Sequence, residues 1–103
     1  GYKRQIFSWR ERSEVTPAEV YGLICYQYRA MQPYYPNGAV LPFRKFLKAY
    51  LEPYALPNNR LQAILTAKQE DQLFKQLDHL FLELGVLNLN AAREVFDIYM
   101  QNW

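Results

Sequence analysis

The sequence predicts an all-α fold: one small domain of four to five helices packed around a buried helix at residues 17–32. Three observations carry that expectation. Thr16-Pro17-Ala18-Glu19 has the form of a capping box with proline at the first helical position, a specific helix start. Apolar residues recur at helical spacing in stretches divided by Pro, Gly and Asn, with no sustained alternation of the kind a strand needs. Half of the 103 residues are hydrophobic and 17% are aromatic, enough to bury one core without disulfides.

The helix opened by Thr16 carries Val20, Tyr21, Ile24, Cys25, Tyr28 and Met31 on one wide apolar face, with Leu23, Tyr26 and Ala30 beyond Gln27. A helix apolar nearly all round is expected to be buried. Val15 and Val20 flank the cap as a hydrophobic staple would. Ahead of it, residues 1–15 mix Lys3, Arg4, Arg10 and Arg12 with Tyr2, Ile6, Phe7 and Trp9 without period and read as an N-terminal arm; residues 16–103 read as the helical domain.

After Gln32, Tyr35-Pro36-Asn37-Gly38 matches a β-turn with proline second and glycine last. Pro42 suits the first turn of a helix over residues 42–52, in which Phe43, Phe46, Leu47, Tyr50 and Leu51 make the apolar face and Arg44 and Lys48 stand opposite, with Lys45 nearby. Pro53 and Pro57 bracket a connection, and Asn58 or Asn59 is expected to cap a short helix through Leu65. Thr66-Ala67-Lys68-Gln69 reads as a second capping box, opening a helix to Leu84 that Gly85 closes; its inner stripe is Leu73, Leu77, Leu80, Phe81 and Leu84 with Phe74 at the edge. Asn88 or Asn90 caps a last helix in which Ala91, Ala92, Val95, Phe96, Ile98, Tyr99, Met100 and Trp103 cover most of the circumference.

Catalytic equipment is thin: one His, one Cys, and two serines, both in the arm. Cys25 lies on an apolar face without adjacent cations, where a thiol is inert, so a Cys25–His79 thiolate pair is disfavoured. His79 sits on the polar side of its helix with Glu83 one turn on, the spacing of a solvated pair. A di-iron bundle would repeat Glu-x-x-His on two helices; here a single histidine follows Gln76-x-x, so no metal is expected. There is no phosphate loop, dinucleotide fingerprint or CxxC, and no cofactor is expected.

Net charge is +2, but residues 1–65 carry nine basic and four acidic side chains while residues 66–103 carry three and six. That asymmetry suits self-association or an acidic partner. No apolar run reaches the length of a membrane span and no secretory leader pattern is visible; with a lone, apolar-face Cys25, a reducing, cytoplasmic setting is expected.

These readings converge on a non-catalytic helical protein–protein interaction module, an adaptor or small subunit of a larger assembly. Its partner-binding candidates are Trp9, Tyr34, Tyr35 and Tyr54, which lie in the arm and connections, and Leu82, which projects from the polar face of its helix between Lys75, Asp78 and His79. The alternative is nucleic-acid binding through Lys3, Arg4, Arg10, Arg12, Arg44, Lys45 and Lys48. The separation of Phe46 from these cations on its helix counts against base stacking. A tyrosine-lined pocket for a small molecule is a weaker third reading.

Overall fold

The computed structural model describes residues 15–94; Trp9, the basic residues of the arm and the apolar residues expected after Glu94 lie outside them. Within this span the chain forms α1 (Pro17–Met31), α2 (Val40–Leu51), α3 (Asn58–Leu65) and α4 (Glu70–Glu83), with single 3-10 turns at Gln32–Tyr34 and Glu52–Tyr54. A further helix, α5, is described over residues 89–94. The all-α expectation holds, and no described helix is long and apolar enough to cross a membrane.

The start of α1 is the capping box that its sequence spells. Thr16 Oγ1 accepts the Glu19 amide at 3.2 Å, and Glu19 Oε1 accepts the Thr16 amide at 3.3 Å. Two amide donors that a helix end leaves unpaired are thereby satisfied. The helix is central, packing against both α2 and α4, while α3 bridges α2 and α4. Its burial is one-sided, however. Tyr21, Ile24, Cys25 and Tyr28, at helical spacing, point inward, whereas Leu23 and Tyr26 are half-buried and Ala30 is exposed.

Aromatic edges lock this face to its neighbours. Tyr28 meets Phe43 of α2 at 5.2 Å and Phe74 of α4 at 5.1 Å between ring centroids, both edge-on. Tyr21 lies 5.3 Å from Phe81, which Tyr54 also meets edge-on at 5.9 Å. Such geometry adds about 0.5 to 1.5 kcal/mol per pair beyond the area buried. The inner residues of α4, Leu73, Leu77, Leu80 and Phe81, complete the core with Val40, Leu47, Leu51 and Ile64.

The turn before α2 forms as its residues dictate: the Gly38 amide donates to the Tyr35 carbonyl at 2.9 Å, and Gly38 takes φ +118°. Helix α2 begins two residues before Pro42, which occupies its first turn. Its buried stripe is Val40, Phe43, Leu47 and Leu51; Tyr50 is half-buried and Phe46, expected on the inner face, is 38% exposed.

Of three further expected caps, two do not form and one does. Neither Asn58 nor Asn59 caps α3, whose N-cap is Pro57, a position without a side-chain acceptor; Asn59 instead accepts the next amide, that of Arg60. The second capping box does not form. Thr66 closes α3: its hydroxyl and its amide both donate to the Gln62 carbonyl, at 2.7 and 2.9 Å. Ala67 is buried, its carbonyl held by Arg44 Nη2 at 3.0 Å, so the box residues cannot also turn into a helix start. Helix α4 begins four residues later without a side-chain cap, with Glu70 and Asp71 placed where carboxylates complement the positive helix end. Asn88 does cap α5, accepting the Ala91 amide at 3.0 Å; Ala92 is buried there and Ala91, expected inside, is exposed.

Gly85 closes α4 as expected. Its amide donates to Leu82 O at 3.1 Å and the Val86 amide to Phe81 O at 3.0 Å, the paired bonds of a Schellman motif, with Gly85 at φ +102°. Gly85→Ala is expected to lower stability by about 1 kcal/mol because an L side chain is strained at that φ. Ile24, fully buried on the inward face of α1, gives a larger expected loss: Ile24→Ala should cost about 2 to 5 kcal/mol in urea denaturation, against about 0.5 kcal/mol for a surface change.

Candidate functional site

The polar groups with chemical potential are largely committed inside the fold. The Tyr21 ring is fully buried, and its hydroxyl donates to Asp78 Oδ1 while accepting from Arg93 Nε at 2.9 Å. Arg93 Nη2 in turn donates to Asp78 Oδ2 at 2.9 Å. This closed three-membered network joins α1, α4 and α5, and the guanidinium carbon lies 5.8 Å from the Tyr21 ring centroid. Burial, and then the bond to Asp78, push the Tyr21 hydroxyl well above the usual phenol range, so it remains a donor. Tyr50 behaves alike, donating to Gln27 Oε1 across α2 and α1.

Cys25 is buried one turn after Tyr21, and burial lifts its thiol from 9.0 to about 11. It is held as a neutral, inert thiol. His79 is well exposed, its Nε2 3.1 Å from Glu83 Oε1, far from a nucleophile's requirements. Among the described residues no group of three His, Cys, Asp or Glu side chains is placed to hold a metal ion.

Among the described residues, an open groove of about 510 Å³ lies between α3 and α4. Arg60 and Ile64 of α3 line one side; Lys75, Gln76, Asp78, His79 and Leu82 of α4 line the other. Arg60 Nη1 donates to Glu83 Oε2 at 2.6 Å, tying the two helices together at the rim. That bond holds the Glu83 carboxyl below its usual range. Leu82 is 52% exposed. Residues 58–65 therefore fold beside it without covering it.

The other partner-binding candidates are dispersed. Tyr34 is 80% exposed and Tyr35 41% exposed in the connection after α1, and neither lines the groove. Tyr54 is half-buried against Phe81, which removes much of its ring from the surface. Of the basic candidates, Arg44 is half-buried and spends Nη2 on the Ala67 carbonyl, whereas Lys45 and Lys48 are exposed on α2. Lys45 Nζ sits 5.3 Å from the Phe46 ring centroid, so this ring and cation share a surface after all.

Two exposed side chains escaped the reading of the sequence. Leu41, 62% exposed, belongs to the two residues of α2 that precede Pro42, and Leu87, 98% exposed, stands in the short link between Gly85 and the Asn88 cap. The Tyr21–Asp78–Arg93 network also escaped, because its members lie 57 and 15 residues apart and no local pattern relates them.

Tyr21→Phe removes the shared hydroxyl yet leaves Arg93 on Asp78; it is expected to cost about 1 to 2 kcal/mol, with Asp78→Ala costing more because the Tyr21 and Arg93 donors both lose their acceptor. The raised Cys25 thiol has a pH signature. Its folded-state value lies above its unfolded one, so the folded state holds the proton longer and stability falls as pH rises from about 9 towards about 11. Cys25→Ala is expected to flatten the part of that decline near pH 9, before tyrosine ionisation contributes.

Comparison of the chain with protein-family models, with curated proteins and with solved structures finds no match, so the functional reading rests on the surface just described.

Proposed function

We propose that this chain is a non-catalytic protein–protein interaction module, an adaptor or small subunit of a larger assembly. The observation that carries the reading is Leu82, a large apolar side chain held half out of the surface of a groove whose wall is built by two packed helices. A single exposed leucine is ordinary. One that sits in a preformed concavity beside Ile64 is ready to bury area on contact without reorganising the fold, which is how a binding anchor earns affinity. Tyr34, Leu41 and Leu87 supply further exposed apolar area. The thiol, the histidine and the buried tyrosine that a catalytic reading would need are occupied or inert, which favours binding over chemistry. The buried Cys25 suits a reducing compartment, and we place the module in the cytoplasm.

A second reading, nucleic-acid binding, is favoured by one observation: Lys45 beside the part-exposed Phe46, with Lys48 on the same helix, combines cation and ring on one surface. That is the combination single strands use.

Affinity capture with the tagged chain from a lysate of its source, with and without nuclease, separates the two. The module reading expects protein partners that survive nuclease and are lost or reduced with Leu82→Glu, a substitution expected to change stability by no more than about 0.5 kcal/mol. Partners lost to nuclease, together with nucleic-acid mobility shifts that vanish between low and moderate salt and weaken in a Lys45→Glu, Lys48→Glu variant, would replace it with the second reading.

A further inference from the structure

We infer that the groove between α3 and α4 takes a helical segment of another protein that carries an apolar anchor and, two turns away on the same face, a carboxylate. This deepens the interaction-module reading and rests on it. The charges of the groove wall are mostly paired. Arg60 is neutralised by Glu83 at 2.6 Å and Asp78 by Arg93 at 2.9 Å, while His79 shares the Glu83 carboxylate at 3.1 Å. Gln76 is neutral. Lys75 alone among the charged residues of this wall has no carboxylate partner among the described residues. A cation left beside apolar surface is the electrostatic complement of an acidic occupant, not of a basic one.

Position adds a spacing. Lys75 and Leu82 are both on α4 and seven residues apart. On an α-helix that puts them within about 20° of each other around the axis and about 10 Å apart along it. The wall therefore presents an apolar contact and, among the described residues, an ammonium without a carboxylate partner in line, with the Arg93-paired Asp78 and His79 between them. A helix lying along this line meets both with residues i and i+7, one apolar and one acidic.

A second copy of this chain docking through its α2 fits less well. Its exposed apolar residues on α2, Leu41 and Phe46, are accompanied by the exposed Lys45 and Lys48, which would bring cations against Lys75. Like charges facing across an interface select against that pairing.

The test uses the full chain and a displayed library of random peptides of about 16 residues, long enough to form a helix on contact. Enriched peptides are then measured by fluorescence anisotropy against the unsubstituted chain, Leu82→Glu, Leu82→Ala, Lys75→Glu and Lys75→Gln, with thermal melts confirming that each variant folds. The expected result is enrichment of sequences pairing an aliphatic or aromatic residue with Asp or Glu seven positions away. Leu82→Glu should weaken them about tenfold or more, and Lys75→Glu about threefold to tenfold, with Lys75→Gln between. Panning on Lys75→Glu should enrich lysine or arginine at the same spacing. If Leu82→Glu does not fold, Leu82→Ala and the Lys75 pair carry the test unchanged. Failure to enrich any sequence, enrichment without acidic residues, or affinities indifferent to Leu82 and Lys75 would each overturn the inference. So would light scattering that shows a dimer dissolved by Lys75→Glu or Leu82→Ala, which would hand the groove to a second copy. Nuclease-resistant protein capture that persists while peptides fail leaves the module reading standing and removes only this groove assignment; loss of both removes the reading itself.

Discussion

A phenol buried at the centre of a helix bundle brings a hydroxyl with it, and that hydroxyl has to be paired where water does not reach. Tyr21 is fully buried, and the helices around it are arranged to meet that demand: Asp78 accepts from its hydroxyl, Arg93 donates to it and balances the carboxylate. Asp78 and Arg93 keep part of their side chains in water, 29% and 41% exposed, so the pair completes the hydrogen bonds of the buried hydroxyl from the edge of the core. Closed into a ring, the three groups fix the approach of α4 to α1 and bring the start of α5 against both. The apolar contacts of Tyr28 with Phe43 and Phe74 set how closely the helices pack. They are less demanding in direction than hydrogen bonds, so orientation rests on the polar ring.

That network also shapes the outer surface. Asp78 lies on the groove wall with both oxygens committed, one to Tyr21 and one to Arg93, and it makes no ion pair with Lys75 one turn earlier on the same helix. At the other rim, Glu83 is taken by Arg60 and His79. Among the described residues, the lack of a carboxylate partner for Lys75 goes with two carboxylates being committed to holding helices together. On the proposed interaction-module reading, structural and binding roles are coupled through the allocation of a few acidic side chains.

What was legible in the sequence was whatever depends on neighbours a few residues away. Thr16 and Glu19 form their box from groups three residues apart on the same short stretch, and Gly85 ends α4 because a residue at φ +102° is needed there and glycine tolerates it. The inner stripe of α4 follows directly from periodicity. Leu82 was also visible, since it stands well away from that stripe on any helix. Thr66-Ala67-Lys68-Gln69 has the same letters as a start signal and fails for a reason no local pattern contains: Arg44, from a different helix, holds the Ala67 carbonyl, and the Thr66 hydroxyl finds the Gln62 carbonyl closer. Phe46 was placed inside because it fits the spacing of Phe43 and Tyr50. The actual stripe is centred nearer Leu47 once the helix starts at Val40, and that shift turns Phe46 outward beside Lys45.

The same distinction explains why the site was harder to read than the fold. A core residue announces itself by being apolar at the right period, whereas a binding residue is defined by what is left unpaired after all tertiary contacts have formed. Lys75 and Lys48 look alike in the sequence, each an exposed lysine on an amphipathic helix. Only the positions of Arg60, Glu83, Asp78 and Arg93 single out Lys75 as the charge of a concave surface without a carboxylate partner among the described residues, while Lys48 stays on the open face of α2. Screening by water and salt makes such a cation weak on a flat face and stronger beside apolar walls that exclude solvent. Charge that matters for recognition is therefore a property of the groove, and it comes into being only when α3 docks on α4.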